Sequence, residues 1–137
     1  MLRKQSSENN PADWFYSAAD RLKVADLAWK AEGVTQSGIE LPQEAVERYL
    51  KGYLVAQGWR LRRVHDLGAL LADAMQFEPR FAQFKNLADE LTEDFFAQHY
   101  PGGDWTELGK NYAQLREQTH HLVELIRELL PHFFKDA

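Results

Sequence analysis

Arg116 and His121 stand five positions apart in the stretch LREQTHH, with His120 beside the second of them. An arginine can stabilise charge that develops on a phosphoryl group, and a histidine can move the proton of a ribose 2′-hydroxyl. The residue types would therefore suit chemistry at an RNA backbone. On a helix, residues five apart lie roughly 140° apart around the axis and share no face. His120, four on from Arg116, does share it. A two-fold dimer could still bring both residue types into one cleft. An ordinary polar face on a long helix accounts for the same three residues and is the preferred reading, so the chain is expected to bind rather than to catalyse.

A second group suits phosphate binding. Arg60, Arg62 and Arg63 crowd into four positions around Trp59, with Lys51 a helix length behind. Guanidinium groups can hold phosphates while a base stacks on the indole. The same arginines could equally be solvated, or meet an acidic partner protein. His65 and Asp66 follow at the start of an apolar run, where amide N–H groups favour anions. The plainer reading makes Asp66 a helix cap and His65 a residue that fixes the loop.

Several chemistries fall away. The chain has no cysteine, which removes disulfides, thiolate metal sites and cysteine nucleophiles. Five histidines invite a metal, yet no Glu-x-x-His or His-x-x-x-His pair repeats on two segments, so no metal and no cofactor is expected. No glycine-rich phosphate loop or Gly-x-Ser-x-Gly elbow occurs. A net charge of −5 argues against broad attraction to nucleic acid and leaves room for a local basic patch. Without a long apolar run or a signal-like N-terminus, the chain is expected in the cytoplasm.

The elements that must position these residues read as helices. Residues 1–10 carry no apolar period and are expected to be a tail, with 11–137 as one helical domain. Asn10-Pro11 signals a helix start, and Trp14, Ala18, Leu22, Ala25 and Trp29 recur on one face until Gly33. Residues 34–40 read as a loop before a second helix opened by Leu41-Pro42, with Val46, Tyr49, Leu50, Tyr53 and Leu54 on its inner face. A third helix follows Asp66 through Leu67, Leu70, Leu71 and Ala74. A fourth carries Phe81, Phe84, Ala88, Leu91 and Phe95. The fifth, capped by Asp104, runs from Leu108 through Tyr112, Leu115, Thr119, Leu122 and Ile126 to Leu129, and Pro131 closes it. Nothing alternates at period two, so the expected fold is all-α, an antiparallel up-and-down bundle of four to five helices.

The order of residues in the second and third helices is more specific. Glu47 and Arg48 precede Leu50, Lys51, Tyr53 and Leu54, and the triplet His65-Asp66-Leu67 follows about a dozen residues later. With the aromatic-rich first helix and the Tyr100-Pro101 pair, this set resembles the HEPN domain family, in its small, nucleotidyltransferase-associated form. The resemblance implies an up-and-down bundle like a nucleotidyltransferase substrate-binding subunit, often a homodimer. It implies binding of a nucleotide or RNA, and a minimal nucleotidyltransferase as partner, sometimes as a toxin–antitoxin pair. Other members of the family are metal-independent RNases with an Arg-x(4–6)-His motif on the last helix, the pattern of Arg116 and His121. This chain departs from the family in two places: His99 stands where many small members have arginine before Tyr-Pro, and Glu117 follows Arg116 where nucleases carry Asn, Asp or His.

Overall fold

A computed structural model describes the backbone of residues 7–99 and 105–134 and the side chains of 7–92 and 111–134. Residues 1–6, the Tyr100-Pro101 pair, the Gly102-Gly103 turn and the Asp104 cap lie outside the described residues, as do the side chains of Phe95, His99 and Leu108. Among the described residues every regular element is helical and none is a strand.

Helix α1 spans Pro11–Glu32 and starts where Asn10 accepts the Ala12 N–H at 3.0 Å. Its buried residues are Phe15, Ala18, Leu22 and Ala25. Phe15 thus takes the inward place expected for Trp14. The Trp14 indole N–H instead donates to the Glu8 carbonyl at 2.8 Å, which holds the ring at the surface.

Helix α2 spans Gln36–Ala56, so it begins well before the expected start at Leu41-Pro42. Thr35 supplies the cap, its hydroxyl accepting the Gly38 N–H at 3.0 Å. Pro42 therefore sits in the helix interior, where it has no N–H to offer the Gly38 carbonyl four residues back. The buried Tyr112 hydroxyl fills that gap, donating to the Gly38 carbonyl at 3.0 Å. Position 38 has no room for a side chain, because a Cβ there would lie 2.6 Å from the Thr35 hydroxyl oxygen.

α1 and α2 pack antiparallel: Phe15 lies against Gly52, Arg21 bonds Glu44, and Ala28 lies beside Gly38. The approach is close at one end, since a Cβ on Gly52 would stand 2.6 Å from the Phe15 ring. Helix α3, Leu67–Phe77, is capped as expected by Asp66, which accepts the N–H groups of Gly68 and Ala69 at 2.9 and 3.3 Å. The expected fourth helix comes in two pieces. A tight 3-10 stretch, Pro79–Phe84, buries Phe81 and Phe84 and leads into α4, Lys85–His99. Pro79 fits the first turn of that stretch, where a missing N–H costs nothing.

Helix α5, Trp105–Leu129, is followed by Pro131 at the start of a further 3-10 turn. Tyr112, Leu115, Thr119, Leu122 and Ile126 are buried along it. α2 sits at the centre and packs on α1, α3, α4 and α5. The architecture is the helical bundle expected from the apolar periods. Among the described residues, no helix is long and apolar enough to cross a membrane.

Candidate functional site

Two polar clusters and one groove stand on this frame. The first cluster joins α1 to α5. Arg116 donates to Asp26 Oδ1 through Nε at 3.2 Å and through Nη2 at 2.7 Å, and His120 Nε2 lies 2.9 Å from Asp26 Oδ2. A carboxylate can only accept, so the His120 N–H donates to it. Arg116 also lies over the Trp29 ring, 5.0 Å from its centroid, and keeps only 19% of its side chain exposed. The shared face of Arg116 and His120 is thus present, with Asp26 as its centre. His121 is exposed and takes no part in the cluster. A depression of about 390 Å³ beside it is lined by Lys23, Tyr49, Glu124 and Arg127 together with Asp26 and His120.

The second cluster joins α2 to the start of α3. Lys51, only 4% exposed, donates to Glu47 Oε2 at 3.1 Å, and the ammonium lies 5.5 Å from the Trp14 ring centroid. The same Glu47 oxygen accepts from His65 Nδ1 at 3.1 Å. Glu47 is 7% exposed, whereas the His65 side chain is 79% exposed, so the imidazole covers a buried ion pair and turns its other nitrogen outward. Asp66 is engaged as the α3 cap.

The basic connection between these helices is more committed than its composition suggests. Arg62 pairs with Asp73, which also accepts the Trp59 indole N–H at 3.1 Å, and Arg62 lies 5.7 Å from the Trp59 ring centroid. Arg63 lies 3.5 Å from Glu8. Arg60 is exposed and has no partner among the described residues.

A groove of about 610 Å³ opens between α2, the start of α3 and α4. Among the described residues it is lined by Gln43, Glu44, Glu47, Arg48, His65, Asp66 and Thr92. Arg48 donates through Nε to the Ser17 hydroxyl at 3.1 Å and through Nη1 to the Glu44 carbonyl at 3.1 Å. Its Nη2 makes no bond among the described residues. Burial, with the nearby Arg21, lowers the Arg48 guanidinium below its ordinary pKa, and Glu44 and Glu47 oppose that shift. The carboxylates are also engaged: Glu44 by Arg21 at 3.2 Å and Arg48 at 3.8 Å, Glu47 by Lys51 and His65.

Of the residues singled out for phosphate binding, the structure brings His65 and Asp66 to this groove. Lys51 reaches it only through Glu47, and Arg60, Arg62 and Arg63 are not among its lining. Asp26 and Gln43 were not singled out. Each did leave a trace, being a polar residue inside an apolar stripe: Asp26 between Leu22 and Trp29, Gln43 ahead of Val46 and Leu50. Among the described residues, no group of three His, Asp or Glu side chains could hold a metal ion.

Compared with known protein families, residues 11–132 match the family model described as HEPN domain. No curated protein and no solved structure matches the chain.

Proposed function

The chain belongs to the HEPN domain family, and from that premise we propose that it is a non-catalytic module that binds a nucleotide or RNA in the cytoplasm. The observation that carries this reading is the groove between α2, α3 and α4. Its volume, about 610 Å³, falls in the usual range of small-ligand sites, roughly 300–1,000 Å³. Arg48 Nη2 and the outward nitrogen of His65 are uncommitted polar groups suited to phosphate oxygens. Glu44 and Glu47 are paired with cations, and Asp66, the remaining carboxylate of the described lining, accepts from the first amides of α3. By contrast, Arg116 and His120 are spent on Asp26, which supports a structural role for the motif residues.

Melting the full chain with added nucleoside monophosphates, and with short single-stranded RNA, tests the reading. A ligand of the folded state raises the melting temperature as its concentration passes the dissociation constant. Arg48→Ala and His65→Ala are expected to abolish the rise. No rise with any nucleotide or RNA up to millimolar concentration would contradict the proposal.

One observation favours a second reading. Asp26 orients His120 as an acidic partner orients a general base, and Arg116 is alongside. In that reading the chain is a metal-independent RNase, the toxin of a toxin–antitoxin pair, using Arg116 with His120 or His121 across a homodimer. Incubation with RNA in chelator decides it: cleavage abolished by Arg116→Ala or His120→Ala supports it, and intact RNA removes it. The minimal nucleotidyltransferase belongs to the proposal as protein partner, testable by co-purification of the co-expressed pair. Self-association is testable by light scattering of the eluted protein.

A further inference from the structure

We propose that Gln43 reads a nucleobase in the groove between α2, α3 and α4, a step that rests on the nucleotide- or RNA-binding reading above. Gln43 is only 8% exposed and lines the groove, yet its amide has no hydrogen-bond partner among the described residues. Neither amide atom is closed off from solvent, so both face the space of the groove. On α2 this amide shares its stripe with Val46 and Leu50, which offer it nothing. Its free bonding capacity is therefore available to whatever enters the groove.

The chemistry of the amide sets which base edges it can hold. Its NH2 donates and its carbonyl accepts, side by side, so it pairs with an edge that offers an acceptor next to a donor. Adenine presents this edge through N7 and N6–H2, the pairing that glutamine makes most readily with a base. Cytosine N3 beside N4–H2, uracil O4 beside N3–H and guanine O6 beside N1–H offer a like pair on edges that a free nucleotide or single strand leaves open. The choice of adenine therefore rests on the usual pairing of glutamine with N7 and N6–H2. With the base on Gln43, the Nη2 of Arg48 and the outward nitrogen of His65 are left for phosphate and ribose oxygens. Adenine is the base assigned on that pairing, and the ligand class is an adenine nucleotide, free or within a single-stranded RNA.

Titration calorimetry of the full chain with AMP, GMP, CMP and UMP, and with octamers of riboadenylate and ribouridylate, tests the assignment. AMP or the adenylate octamer is expected to bind most tightly, and which of the two binds identifies free nucleotide or RNA as the source. Gln43→Met, which keeps length and removes the amide, is expected to weaken adenine binding by roughly tenfold or more and to erase the preference among bases. Gln43→Glu, which keeps shape but loses the donor pair, checks the same loss should Gln43→Met fold poorly. Adenine binding unchanged in either folded variant, or no preference among bases in the wild type, overturns the assignment of Gln43 while nucleotide binding stands. Failure of the wild type to bind any of the nucleotides or octamers overturns both.

Discussion

Lys51 and Glu47 form an ion pair 3.1 Å long with side chains 5% and 9% exposed, and His65 completes it from outside. A buried pair is costly to break from one side, because the remaining charge keeps its desolvation penalty. Lys51→Met is therefore expected to destabilise the fold by about 3 kcal/mol, read as a lower urea midpoint. Glu47→Gln in the same chain should restore most of that loss; a double variant as unstable as the single one would contradict the account. The same logic orders the candidate catalytic residues. That Arg116 and His120 share a face follows from their spacing and was legible. That Asp26 holds both was not, since 90 positions separate it from Arg116 and only the packing of α1 on α5 brings them together. Lys51 shows the opposite limit: its charge suggested a phosphate ligand, and its burial against Trp14 and Glu47 gave it another task.

Among the elements, α2 departs most from its sequence signal. A proline at position 42 reads as a first-turn residue, and local chemistry alone supports that reading. The helix extends back to Gln36 because Thr35 caps it and because Tyr112, 74 positions away, satisfies the carbonyl that Pro42 leaves open. Tyr112→Phe is expected to cost about 1–3 kcal/mol through the orphaned Gly38 carbonyl. In a Pro42→Ala background, where the restored backbone N–H can donate to that carbonyl, the same change should cost markedly less. Equal costs in both backgrounds, measured by chemical denaturation, would show that the hydroxyl has another role. At the buried contact between α1 and α2, Gly52→Ala is expected to lower stability by about 1–3 kcal/mol, because the new Cβ meets the Phe15 ring and forces the helices apart. The remaining elements were legible from their apolar periods and their breaks at Gly33, Asp66, Pro79 and Pro131. The 3-10 geometry of Pro79–Phe84 was not, since Phe81 and Phe84 are inward at either helical pitch.

For the whole molecule, the buried tyrosines tie α2 and α5 into a core that resists ionisation. Burial pushes both Tyr49 and Tyr112 up to about 12 from an ordinary 10, with Arg127 opposing it at the first and Arg116 at the second. In the unfolded chain these phenols ionise first, so above pH 10 the unfolded state binds fewer protons than the folded state. Stability is then fully present below pH 10 and falls as pH rises towards 12. The urea midpoint should drop across that window, and less steeply in Tyr49→Phe; an identical slope in the variant would contradict the assignment. The functional claim also belongs to this scale, since the groove exists only where α2, α3 and α4 meet. It is tested most directly by an NMR titration of isotope-labelled chain with AMP or a riboadenylate octamer. The account predicts saturable shifts at Gln43, Arg48, His65 and Thr92, with intact RNA throughout. Shifts confined to Asp26, Arg116 and His120, or none at all, would contradict it.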